Sequence, residues 1–230
     1  MNRRAGGHQR IPRPPDWADG GPPPWASIPP EARHVDLATL VRRVKQRGPG
    51  RLAQPEPGDA RRSAVLIALF EGDTGAEVVL TRRSQVLSSH RGEVSFPGGR
   101  ADEGEGARQT ALREAWEEVE LDPSTVTVLG ELDHIYTFVS RSLIVPVVAM
   151  LPGPPTLRPA IAEVDRILTV PLDEFLRDDT HHAETWGTRP LNVTLHFFDL
   201  DDETVWGATA RILVQLLEVA LGLDEAAGAA

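Results

Sequence analysis

The chain has 230 residues, with 24 Lys+Arg, 34 Asp+Glu, no cysteine and a formal net charge of −10. At 40% hydrophobic and 25% charged residues it has a globular composition, one domain with extra chain or two small ones, which excludes full disorder and collagen-like repeats. The absence of cysteine excludes a disulfide scaffold, an iron–sulfur cluster, Cys-ligated zinc and a cysteine nucleophile. No apolar run approaches the ~20 residues of a membrane helix. The N-terminus MNRRAGGHQRIPRPPDW has no apolar core after its basic residues, so no secretory signal and a cytoplasmic location are expected.

Residues 1–62 carry twelve Lys+Arg against six Asp+Glu and hold eleven of the 20 prolines, whereas the remainder carries twelve against twenty-eight. The first part reads as a Pro-rich basic arm, extended over residues 1–30, with Trp17 and Trp25 as aromatics that either dock or stay loose. Within it, Asp36–Arg47 has apolar residues at 37, 40, 41 and 44 behind an Asp, the spacing of one short helix with an N-cap. A second Pro/Gly-rich stretch, 48–59, precedes the main domain, expected over 63–221, with 222–230 as a fraying tail.

In the main domain SAVLIALF and AEVVLTRR are expected strands joined by the turn EGDTG. A helix is expected over Ala107–Val119. Residues 126–132, 143–151, 165–170 and 193–200 read as strands, PLDEFL as a short helix begun by Pro171, and Ala208–Leu221 as a final amphipathic helix. Without a regular βαβ alternation this is an α/β or α+β fold with a mixed sheet. His181 and His182, adjacent between elements, read as surface residues. An acidic main domain is a poor partner for nucleic acid, and no Lys/Arg cluster longer than two offsets this.

The chemistry sits between Val78 and Leu121. At about 100° per residue, Leu112, Ala115, Trp116 and Val119 form a core-facing stripe, while Glu114, Glu117 and Glu118 share a nearly opposite face. Three carboxylates in one turn are either a solvated acidic face or a site for a hard divalent cation, for which Mg²⁺ takes oxygen ligands. In front lies Phe96-Pro97-Gly98-Gly99, a loop whose glycines let backbone approach a ligand. Arg82 and Arg83 end a strand, and alternation lets only one of them face the site. A guanidinium there suits phosphate.

Gly99, five residues, Glu105, seven residues, then Arg113-Glu114-Ala115-Trp116-Glu117-Glu118 resembles the Nudix box. The upstream run Leu80-Thr81-Arg82-Arg83-Ser84, Leu87, His90, Gly92, Val94 and Phe96–Gly99 is similar to the signature of the coenzyme A pyrophosphatase branch, as are Pro146–Val148, Glu163-Val164, Val170–Leu172 and Trp206–Ala210. The resemblance covers roughly 63–221 and implies a Nudix-like α/β/α sandwich. It implies Mg²⁺ or Mn²⁺ on Glu114, Glu117 and Glu118 with the Gly98 carbonyl as a further ligand. Glu118 or Glu163 would act as base, and Arg113 would pair with Glu105 or a metal-binding Glu. Arg82, Arg83, His90, Phe96 and Gly99 would line the substrate, with Phe96 either packed beneath the loop or stacked on a base. The implied reaction is hydrolysis of coenzyme A or its acyl derivatives to 3′,5′-ADP and (acyl) 4′-phosphopantetheine, with a small-molecule nucleotide as partner and a homodimer left open. Two departures stand out. Glu120 replaces the Gly that ends the box helix, so termination through Asp122-Pro123 is expected. Ser88 stands where the signature carries Arg, which keeps ADP-ribose, a dinucleotide or a nucleoside triphosphate as alternatives. A non-catalytic binding module would be expected to lose box carboxylates, and none is lost.

Overall fold

The computed structural model describes residues 4–9, 11–51, 58, 60–86, 91–137, 140–187 and 192–224. In chain order these form β1 (Ala18–Asp19), α1 (Leu37–Gln46), β2 (Arg61–Gly72), β3 (Gly75–Arg83), β4 (Val94–Ser95), β5 (Gly98–Arg100), α2 (Ala107–Val119), β6 (Thr127–Glu131), β7 (Ile135–Thr137), β8 (Ser142–Met150), β9 (Val164–Pro171), β10 (His181–Trp186), β11 (Val193–Asp199), β12 (Thr204–Trp206) and α3 (Gly207–Leu221). Short 3₁₀ turns occupy Pro30–Ala32, Pro123–Thr125 and Leu172–Leu176. Among the described residues no helix is long and apolar enough to cross a membrane.

The chain divides into two compact units, Asp36–Pro171 and a second made of Met1–Val35 with Leu172–Ala230. These lines differ from the 62/63 and 221/222 boundaries of the sequence reading, because the arm packs with the C-terminal part. Gly20 N–H donates to the Ala183 carbonyl, and β1 pairs antiparallel with β10. Trp25 is fully buried, against His181 and Phe198. Three of the arm's arginines pair within this unit. Arg4 pairs with Glu174, Arg13 with Glu184, and Arg33 with Asp178. The four strands run β1-β10-β11-β12, and α3 packs on β11 and β12 through a face that buries Ile212, Leu213, Leu216 and Leu217.

The Asp36–Pro171 unit holds a mixed eight-stranded sheet of order β4-β3-β2-β8-β6, with β5 on β2, β7 on β8 and β9 on β3. Among the described residues only β2 and β8 run parallel. On β2, Ala64, Leu66, Ala68 and Phe70 alternate onto the face covered by Ala111, Ala115 and Val119 of α2. Ile67 and Leu69 are also fully buried, so this strand is covered on both sides, which is why it reads as a continuous apolar run. The α/β class and the mixed sheet are as expected.

The decisive feature is a split. β2 and β3 pair only at their turn end, Leu69–Gly72 with Gly75–Val78. Beyond it they part, and the segment 94–100 fills the gap, β4 on Thr81–Arg82 and β5 on Ser63–Val65. Leu66 N–H donates to the Pro97 carbonyl at the seam. A Cβ at Gly98 would sit 2.6 Å from Val65 Cα and closer still to the Ala64 carbonyl oxygen, at φ +157°. Only glycine fits where the loop crosses this backbone.

Candidate active site

The split delivers the glycine loop to the C-terminal half of α2, beside Glu114 and Glu118. Gly98 N–H donates to Glu118 Oε2 at 3.1 Å. A Cβ at Gly99 would lie 2.5 Å from the Glu114 carboxylate, so glycine here leaves the room that this carboxylate occupies.

Arg113 organises the acidic residues. Its Nε and Nη2 donate to the two oxygens of Glu105 at 2.8 and 3.0 Å, and Nη2 also donates to the Arg100 carbonyl. Nη1 donates to Glu114 and to Glu117, each at 3.0 Å. Glu105 also accepts from the Asp102 N–H and the Thr110 hydroxyl. Its bond to Arg113, reinforced by that backbone donor, pulls its pKa down to about 2. Arg113 is held charged by the same bond. Glu105 thus ties the helix to the loop that precedes it, the pairing expected for Arg113.

The three box carboxylates do not share one environment. Thr110, Ala111, Ala115, Glu118 and Val119 are the buried positions of α2. Glu118 therefore lies on the core stripe, its side chain 4% exposed, while Glu117 is 55% exposed. Trp116, expected in the core, is instead 51% exposed. The small residues Ala111 and Ala115 let α2 sit close on the sheet, and this rotates the stripe away from the indole. Burial pushes Glu118 up to about 7, offset in part by the Gly98 N–H and Arg83 and reinforced by Glu114 and Glu163. Glu114 is also raised, first by burial, with Glu117 and Glu163 adding to it against Arg113.

Arg83 is the strand-end arginine that reaches this group, with Nη1 3.5 Å from Glu118 Oε1. Its buried Nε–H has no acceptor among the described residues. A register shift between Arg82 and Arg83 breaks the simple alternation on which the sequence argument relied. Arg82 is half-buried. Glu163 is exposed, and its carbonyl accepts from Ser84 N–H, which knits the end of β3 to the turn before β9. The same turn is fastened to α2 by Arg158 N–H on the Val119 carbonyl and Ala160 N–H on the Glu118 carbonyl.

Other expectations are corrected. Phe96 is 1% exposed, packed beneath the loop, and so offers no face to a base. Glu120 itself takes the left-handed conformation (φ 54°, ψ 32°), donating from its N–H to the Ala115 and Trp116 carbonyls. The helix therefore ends as a Gly would end it, while Asp122 caps the next turn through Ser124 N–H. His181 and His182 are not surface residues. They lie in β10, His181 7% exposed and 3.1 Å from His196, His182 stacked on Phe197. The polar letters HHAETW hide a strand whose neighbours supply the apolar contact. Sequence reasoning also missed Thr110 as a partner of Glu105 and the buried Glu184. His90 and Ser88 lie outside the described residues.

A loop-plus-helix cradle of acidic residues on a split mixed sheet defines a class, and the NUDIX domain profile matches residues 60–189, more than half of the chain. The chain belongs to the Nudix family. A relative in Arabidopsis thaliana named Nudix hydrolase 22, chloroplastic, is 42% identical over 169 residues, covering 69% of this chain and 55% of that protein. The chain thus spans little more than half of that relative's length. A Photorhabdus laumondii protein named uncharacterized Nudix hydrolase NudL is 39% identical over 188 residues, covering 80% of this chain and 97% of its own. A Caenorhabditis elegans protein named peroxisomal coenzyme A diphosphatase ndx-8 is 40% identical over 168 residues, covering 70% and 68%.

Nudix hydrolases generally use divalent ions such as Mg²⁺ or Mn²⁺. The donor set here fits such an ion. It consists of hard carboxylate oxygens, two of them on glutamates whose burial disfavours their charge and which repel one another. Among the described residues no three acidic or imidazole side chains already stand in coordination geometry, and Arg113 bonds both Glu114 and Glu117.

Proposed function

We propose that the chain hydrolyses the diphosphate linkage of a nucleoside diphosphate derivative, and that this substrate is coenzyme A or an acyl derivative. The observation that carries the reaction class is Glu118, a carboxylate buried between the Gly98 N–H and Arg83 with Glu114 and Glu163 in its field. A buried carboxylate whose pKa is raised in spite of a nearby guanidinium suits a cationic ligand rather than a purely structural role. The coenzyme A assignment is supported by the 40% identity to the C. elegans diphosphatase and by the signature residues around Arg82–Gly99.

In this reading Glu114, Glu117 and Glu118 hold Mg²⁺ or Mn²⁺, with the Gly98 carbonyl as a further oxygen. The ion supplies neutralisation of the diphosphate and a more acidic water. Arg83, with Arg82 or His90, meets phosphate oxygens. Glu163, exposed and close enough to raise Glu114 and Glu118, takes the proton of the attacking water. Arg113 positions Glu114 and Glu117 through its anchor on Glu105. Water oxygen bonds to one phosphorus, the bridging oxygen leaves with the other phosphate, and the products are 3′,5′-ADP and (acyl) 4′-phosphopantetheine. Ser88, in place of the signature Arg, favours a second reading in which the substrate is ADP-ribose, a dinucleotide or a nucleoside triphosphate.

The test is a panel of these compounds with Mg²⁺ and with Mn²⁺, the products read by mass spectrometry. Coenzyme A should give the highest kcat/KM. A higher value for ADP-ribose moves the assignment to the second reading, and no turnover of any diphosphate removes both.

A further inference from the structure

The adjacent histidines that open β10 take no part in the site above, and one of them is buried where the arm docks. His181 is 7% exposed. Its ring meets Trp25 of the arm edge-on, with centroids 5.2 Å apart, and Phe198 of β11 in the same way at 5.1 Å. Trp25 is itself fully buried and stacks on Phe198. The imidazole is therefore part of the floor on which the arm's buried indole rests.

This floor suits a neutral ring. An imidazolium donates from both nitrogens. His181 Nε2 lies 3.1 Å from His196 Nδ1, whereas its buried Nδ1 has no partner among the described residues. The groups that face the ring offer no countercharge. From β11 they are His196 and Phe198, with Arg211 of α3 acting on His196; from the arm, Trp25; along β10, His182. Asp19 of the arm lines the same groove, but it is exposed and its carboxylate accepts from the Gly21 N–H. Asp199 and Glu184 stand against His182 instead, at 3.2 and 3.4 Å. Burial first, then His196 and His182, hold the His181 pKa down to about 3, against an ordinary 6.5.

We infer that His181 is an acid-sensitive latch for the N-terminal arm: a proton on this ring expels Trp25 and frees Ala18–Asp19 from β10. The coupling runs through solvent. With Trp25 gone the imidazole is wetted and takes a proton as an ordinary histidine does, while the docked ring resists it. The released form therefore binds the extra proton. Docking is at full strength above the ordinary value of 6.5 and weakens progressively as the pH falls below it. For one proton, the ratio of released to docked arm rises about thirtyfold between pH 7.5 and pH 5.0. The latch uses none of the groups assigned to hydrolysis.

The experiment follows amide hydrogen exchange in the full chain from pH 7.5 to pH 5.0, corrected for the intrinsic rate at each pH, with β2 and β8 as the internal reference. The reporter is the Gly20 N–H, which is bonded to the Ala183 carbonyl. Its opening should rise about thirtyfold over this range while β2 and β8 keep their protection. His181→Phe keeps an aromatic ring against Trp25 and Phe198 without a site for the proton, and should hold the opening within about twofold. Imidazole ¹⁵N shifts of the natural chain give a readout that needs no variant: the His181 ring should stay neutral down to pH 5.0 wherever Gly20 is protected. An opening that stays flat in the natural chain overturns the latch, as does a rise kept by His181→Phe. A His181 ring that titrates near its ordinary value with Gly20 still protected overturns it too.

Discussion

Glu118 shows how one residue's surroundings set its chemistry. The folded protein holds its proton up to about pH 7, against an ordinary value of 4.5, so folding takes up a proton between those values. Stability is therefore lost as the pH rises through that window and stays lowered above it. Glu118→Gln removes the charge, so its melting temperature in EDTA should exceed that of the natural chain at pH 8 and converge with it near pH 5. The same variant should lower kcat at least about 10²-fold in saturating Mg²⁺, and near-normal turnover would discard the metal-site assignment. By the same sign, Mn²⁺ should raise the melting temperature more at pH 8 than at pH 5, because only the ionised carboxylates need the ion. A calorimetric pair of scans decides this. These residues were all legible as types at a spacing. Their unequal burial was not, because the helical wheel assigned Trp116 to the core and treated the three glutamates alike.

At the level of elements, α2 and the glycine loop depend on two kinds of glycine and one missing one. Gly98→Ala drives a Cβ into the Ala64 and Val65 backbone, which has no rotamer to yield, and should cost about 1–3 kcal/mol in urea unfolding. Gly99→Ala meets only the end of the Glu114 side chain. It should spare stability and instead lower activity, by displacing that carboxylate. Glu120 pays the left-handed penalty that glycine avoids, so Glu120→Gly should stabilise by about 1 kcal/mol in the same measurement. The helix bounds 107–119 were readable from periodicity, as were β2, β3, β8, β9 and β11. The short strands β4 and β5 were not, because two or three residues carry no periodic signal and exist only where β2 and β3 part.

At the level of the whole molecule, the arm is built into a unit with the C-terminal part of the chain. Trp25→Ala empties a fully buried site beside His181 and Phe198 and should cost about 3–5 kcal/mol. Hydrogen exchange should report that loss in β10 and β11, and unchanged protection there would mean the arm does not support this sheet. The groups assigned to catalysis all lie in Asp36–Pro171, the other unit. From its letters alone the chain determined the Nudix spacing, the acidic turn, the glycine bend and the order of the long elements, because these are local patterns of residue type along one strand or helix. Tertiary structure decided the rest. It buried Glu118 and exposed Trp116, brought Arg83 to that carboxylate, turned HHAETW into a covered strand and joined the proline-rich arm to the C-terminal sheet. Each of these depends on which surfaces, distant in sequence, remove one another from water.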